Sequence, residues 1–209
     1  MRNRLLYSTG LLVLSVFLLV SCQKEIDGSI FAGGGGTNPV NQKPKVGTIW
    51  TYRYYIYHQD GSLYQSFIYT LKAKNEETIN GETWLNVVDV DADTTVYKFQ
   101  AKTDGLYQYA NSTSNMFCKD PAFLGESYNT YNEGGAENFV VKGVNDTLPT
   151  GIGDVVVNYY EGYRSTILIH QIWYNKYAWI VRKSTYRNRS QVTPSWFRER
   201  TIFLDKIIY

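Results

Sequence analysis

Ile49-Trp50-Thr51-Tyr52-Arg53-Tyr54-Tyr55-Ile56-Tyr57 is the stretch that decides the fold class. Positions 50, 52, 54 and 56 are large and apolar while Thr51 and Arg53 fall between them, a period of two that belongs to a half-buried strand. The alternation predicts Trp50, Tyr52, Tyr54 and Ile56 in the core and Thr51 and Arg53 toward solvent. Asp60-Gly61 then supplies a turn, and Leu63 to Lys74 resumes with Leu63, Phe67, Tyr69 and Leu71 on one face, which reads as a hairpin.

The pattern repeats along the chain. Asn80-Gly81 precedes Trp84 to Val90, the turn Asp91 to Thr94 leads into Thr95 to Ala101, and Asp104-Gly105 precedes Leu106 to Ala110. Further strands are predicted at 128–131, 139–142, 155–160, 166–174, 179–186 and 196–208, with a single helical turn near 121–125. No stretch after the leader holds a 3.6-residue apolar period over three turns, so the fold class is all-β. Turns at this spacing predict an antiparallel meander. The long runs 63–74 and 196–208 exceed the usual strand of about five or six residues and favour a strongly curved sheet or open barrel. The alternative is a β-sandwich. A membrane-spanning barrel is disfavoured, because lumen-polar alternation with aromatic girdles is not sustained.

Ahead of the strands the chain carries an address. Arg2 and Arg4 precede the apolar run Leu11 to Val20, which ends at Leu19-Val20-Ser21-Cys22. This resembles the bacterial lipoprotein lipobox. The resemblance implies cleavage before Cys22, acylation of its thiol, and an outer-membrane lipid anchor with more than one acyl chain, since one chain binds only marginally. Cys22-Gln23-Lys24-Glu25-Ile26-Asp27 is similar to the export signal of surface-displayed Bacteroidota lipoproteins. The uncharged run from Leu5 to Ser21 lies at the short edge of the roughly 17–25 residues that span a bilayer. Gly33-Gly34-Gly35-Gly36-Thr37-Asn38-Pro39 buries nothing and reads as a flexible tether. The expected organisation is therefore a signal peptide over 1–21, a lipidated tether over 22–44 and one all-β domain over 45–209.

Gly47-x-x-Trp50-x-Tyr52, Asn80-Gly81-x-x-Trp84 and the late run Trp173-Tyr174-Asn175-Lys176-Tyr177-Ala178-Trp179-Ile180-Val181 resemble a group of Bacteroidota curved-sheet lipoproteins. That resemblance implies the fold and brings no activity with it.

With Arg2 and Arg4 removed, 19 basic and 19 acidic residues remain, a neutral chain that argues against nucleic acid as a partner. Residues 176–209 carry a net +6 and residues 22–175 a net −6. The basic end suits phosphates or an acidic glycan, or serves to blunt strand edges. Cys118 has no partner in the mature chain once Cys22 is acylated, so the core carries stability without a disulfide.

No catalytic motif stands out. Asp89-x-Asp91-x-Asp93 begins like a calcium loop, but Thr94 stands where Gly is needed and Gln100 where Glu is needed. His58 and His170 lack a second histidine at metal-ligand spacing, and the sequence implies no metal and no cofactor. Alternation from Ile169 places His170 on the opposite, solvent face. Glu76, Glu77, Glu133 and Glu137 read as loop charges. The candidate ligand-binding patch is Trp173, Tyr174, Tyr177 and Trp179, aromatic residues close to an expected turn where rings are hard to bury. Asp146-Thr147-Leu148 resembles the O-glycosylation signal of Bacteroidota periplasmic proteins, which makes Thr147 a candidate modification site.

Three function classes follow. The leading one is a non-enzymatic binding or scaffold module of the envelope, held at the membrane and engaging an envelope protein, glycan or lipid. The second is a carrier of a lipophilic ligand or a glycan-binding accessory protein, with a cavity along the 50/52/54/56 face. The third is a hydrolase, with carboxylates or His170 gathered in a cleft.

Overall fold

A computed structural model describes residues 42–188 and 196–209. The leader, Cys22, the Gly-rich tether and Arg189 lie outside the described residues. Twelve strands follow one another: β1 Ile49–Tyr57, β2 Leu63–Ile79, β3 Glu82–Asp89, β4 Thr94–Lys102, β5 Gly105–Ala110, β6 Thr113–Lys119, β7 Ser127–Asn132, β8 Gly135–Thr150, β9 Gly153–Arg164, β10 Ile167–Asn175, β11 Trp179–Asn188 and β12 Trp196–Ile208. They form one antiparallel sheet in the order β6-β5-β4-β3-β2-β1-β12-β11-β10-β9-β8-β7.

The sheet curls into a nearly closed barrel. The first and last strands are laddered side by side, Trp50 opposite Ile207 and Tyr52 opposite Leu204. The open seam therefore falls mid-chain, where β6 and β7 lie against one another. Side chains bridge it. The Tyr128 hydroxyl donates to the carbonyl of Phe117, the Tyr160 hydroxyl donates to the carbonyl of Lys119, and Lys119 pairs with Glu126. No helix occurs among the described residues, and residues 121–125 form a turn where a helical turn was expected. Strand β6, which had no strong apolar alternation, was not anticipated.

The interior follows the period-two reading at its deeper end, whereas Tyr54 and Ile56, expected in the core, are only half-buried because the sheet opens there toward the barrel mouth. Trp50 and Tyr52 are buried, with Leu71 of β2, Phe99 of β4, Ile172 of β10 and Leu204 of β12 beside them. Asn175 Oδ1 accepts the backbone N–H groups of Tyr177 and Ala178 and so shapes the β10–β11 turn. Beyond that turn Trp179 takes φ 63°, a region that bulky residues rarely enter, and its ring points into the barrel. The Trp50 indole N–H donates to Ala178 O and the Tyr52 hydroxyl to Ile180 O, each at 2.9 Å. Between these rings only about 10 Å³ is free, room for one water at most, so this end of the barrel is filled by side chains.

Candidate functional site

The inner face changes character toward the other end of the strands. On β1 the inward residues run Trp50, Tyr52, then Tyr54, and on β2 Leu71, Tyr69, then Phe67. The inward positions of β11 and β12 run Val181, Lys183, Thr185 and Leu204, Ile202, Arg200. Tyr54, Tyr69, Tyr97, Lys183 and Arg200 thus wall a cavity of about 130 Å³.

Glu133 closes one side of it. The β7–β8 hairpin turns on Glu133-Gly134 with φ 42° and 80°, a turn that ordinarily takes Asn-Gly. From that position the Glu133 carboxylate accepts from Lys183 Nζ at 2.7 Å and from Arg200 Nη2 at 2.6 Å. Burial alone would raise the Glu133 carboxyl, but Lys183, His170 and Arg200 outweigh it and hold the group well below the usual carboxylate range. Burial likewise opposes the charge on Lys183, and the Glu133 carboxylate overcomes it, lifting the ammonium above its usual value. Lys183 is 4% exposed.

A second carboxylate lies behind the first. Glu137 of β8 shares the inward face with Phe139 and Val141, and its carboxylate meets His170 Nδ1 at 2.8 Å and Arg164 Nη2 at 2.9 Å. His170 is fully buried, which corrects the surface assignment. The reason is a bulge: the β9–β10 register shifts between Leu168 and His170, so Ile169 and His170 are both inside, and His170 keeps the parity of Ile172 and Tyr174. His170 Nε2 lies 3.2 Å from Glu133 Oε2, within ion-pair distance but off the line of a hydrogen bond. Glu137 is likewise a buried strand residue and not a loop charge, whereas Glu133 does lie in the hairpin turn, its side chain 30% exposed, and reaches the same network from there.

This arrangement constrains the chemistry. Glu133 stays ionised and has its oxygens engaged by cations, which makes it a poor proton donor. Lys183 stays an ammonium and is no nucleophile. Balancing Glu137 against Arg164 and Glu133 against one cation leaves one positive charge facing the cavity, since both Lys183 and Arg200 border it. Lys183 and Arg200 carry N–H donors beyond the one each gives to Glu133. The arrangement can hold an anion beside aromatic rings.

The four aromatic candidates do not form one surface. Trp173 lies on the outer face, stacked on Tyr159 at 4.6 Å with the Arg182 guanidinium 4.3 Å from its ring. Tyr174 and Trp179 point into the core, and Tyr177 is half-buried at the turn. Thr147 is exposed on β8 opposite Val156. Asp89 caps its own turn by accepting from the backbone of Asp91 and Ala92, and Asp93 pairs with Lys74. His58 sits at the β1–β2 turn with its ring edge-on to Tyr64.

No family model matches the chain. No curated protein matches it either. Among solved structures it is similar to the crystal structure of a LolA superfamily protein from Nitrosomonas europaea, at 10% identity and a TM-score of 0.22 over 79% of this chain and 87% of that chain.

Proposed function

We propose that the protein is a non-enzymatic binding module of the envelope, lipid-anchored to the outer membrane through Cys22, whose barrel mouth takes a small ligand carrying an anionic group next to an apolar or sugar face. The observation that carries this reading is the buried ammonium of Lys183, set beside Arg200 on a cavity of about 130 Å³ with tyrosines 54, 69 and 97 around it. A buried cation is costly unless its field is used, and here one unit of positive charge is left over for a ligand. Tyrosine rings supply contact area and hydroxyl groups for the rest of the molecule.

The ligand's size is bounded at both ends. Trp50 and Trp179 fill the deeper barrel, so an apolar portion lies across the Tyr54 and Phe67 rings at the mouth, which stack 4.8 Å apart with Phe67 40% exposed. A carboxylate-bearing sugar and a short amphiphilic carboxylate both meet this description. Titration calorimetry with galacturonate and octanoate, each against its uncharged analogue, tests the proposal. Binding of at least one anion, weakened tenfold or more by Lys183→Met and by added salt, is the expected result. Equal binding of the uncharged analogues, or no effect of Lys183→Met, would remove it.

A further inference from the structure

The geometry points to a second use of the barrel, independent of its cavity: the free edge of β2 pairs antiparallel with the same edge of a second copy of this chain. Strand β2 is seventeen residues long. Strand β1 ladders with it from Leu63 to Lys72, but β3 joins only from Leu71 onward. Among the described residues no strand pairs with the stretch from Leu63 to Tyr69 on the side away from β1.

From Gln65 to Tyr69 that edge lacks the charges and prolines that keep strands apart, and the irregularity of β2 is confined to Tyr64, where the register with β1 shifts by one residue. From Ser62 to Leu71 the sequence is Ser-Leu-Tyr-Gln-Ser-Phe-Ile-Tyr-Thr-Leu, with no charge, no proline and no glycine. Its side chains are exposed: Leu63 by 46%, Tyr64 by 62% and Ile68 by 54%. The backbone direction is also set. Thr70 O faces β3, where it accepts from Val90 N, so by the period of two the N–H and C=O groups of Ile68 and Ser66 face the same open side.

A second copy is the occupant that this chemistry fits. A neutral edge offers nothing to a charged partner, whereas each copy presents an extended, uncharged strand of matching length. A two-fold axis through Ser66 sets the outward groups of Ser66 against those of its mate and brings Tyr64 opposite Ile68 of the other copy. The two most exposed apolar side chains of the hairpin thereby cover each other. A strand pair of this length makes a small interface, so the association is reversible and concentration-dependent.

Two substitutions separate pairing from folding. Ser66→Pro removes an N–H that faces outward and leaves the β1 ladder intact, and Ile68→Lys places a charge on the open edge. Sedimentation equilibrium of the purified chain begun at Gln23, without the leader and the acylated cysteine, at about 10 μM to 1 mM, is expected to show a monomer–dimer equilibrium. Both variants should weaken it at least tenfold while their unfolding midpoints stay within a few degrees of the parent. A monomer at every concentration, or a dimer untouched by the two variants, would overturn the inference. So would a dimer that Ile68→Lys weakens and Ser66→Pro does not, because that pattern belongs to side-chain packing without a shared ladder.

Discussion

The indole rings of Trp50 and Trp179 stack with centroids 5.5 Å apart and planes 24° from parallel, joining the first strand to a turn 129 positions later. Phe99 meets Trp179 edge-on at 5.4 Å, so the pair is the centre of the filled end of the barrel. Trp50→Ala removes a ring that is 1% exposed, together with its hydrogen bond to Ala178. Such truncations cost about 3–5 kcal/mol, a large share of one domain's stability. Arg53→Ala, on the outer face, removes an ion pair to Asp205 from a side chain that is 41% exposed and should cost under about 1 kcal/mol. Urea unfolding of the two variants checks the contrast, and similar midpoints would show that the alternation does not set burial.

Acid should reach the mouth of the barrel through Glu133. Its folded pKa is depressed, so its contribution to stability is complete above the unfolded carboxyl value of about 4.3 and is lost as pH falls from there through the folded value. Glu133→Gln should flatten that part of the stability curve. At neutral pH it should also destabilise by about 3 kcal/mol, because Lys183 remains buried without its counter-ion. Adding Lys183→Met should restore part of the loss. Unfolding free energies at pH 7, 5, 4 and 3 for the parent, single and double variants give the coupling, and an additive double variant would mean that the two groups do not share their charge.

Much of this barrel is written in alternation. Trp50, Tyr52 and Leu71 fall inside where period two puts them, and Asn80-Gly81 adopts positive φ at both positions as its turn requires. The polar end is harder to read, since its parts come from β7, β8, β10, β11 and β12 and meet only when the barrel curls. Even so, Glu137 shares parity with Phe139 and Val141, and His170 with Ile172 and Tyr174. Counting from those residues places both groups inside, whereas counting from Ile169 crosses a bulge that sequence does not announce. Glu133 left another trace, a glutamate standing where a two-residue hairpin turn ordinarily takes asparagine. Trp179 was misread for the opposite reason: proximity to a turn suggests exposure, but this turn folds into the barrel.

The lipobox leads to an expectation about Cys22. Acylation should send the protein to the detergent phase with the lipid mass on a chain that begins at Cys22, and Cys22→Ser should lose both the lipid mass and the cut before residue 22. Phase partitioning with intact-mass measurement checks both parts. A detergent-phase Cys22→Ser protein cut at the same position would rule out lipid attachment there.

The seam between β6 and β7 makes the last prediction. No backbone ladder joins these strands among the described residues, and the Tyr128 and Tyr160 hydroxyls reach across to the carbonyls of Phe117 and Lys119 instead. Removing one such hydroxyl forfeits about 1 kcal/mol and leaves the carbonyl less well satisfied. Because β6 is laddered to β5 alone among the described residues, the loss should appear locally, as easier opening of one strand. Tyr160→Phe should therefore speed amide hydrogen exchange in β5 and β6 several-fold, and combining it with Tyr128→Phe should speed it further. Amides of β1, laddered on both sides by β2 and β12, should exchange at the parent rate. If β1 and β6 respond alike, the seam is not a separate opening unit, and the two tyrosines stabilise the barrel only as a whole.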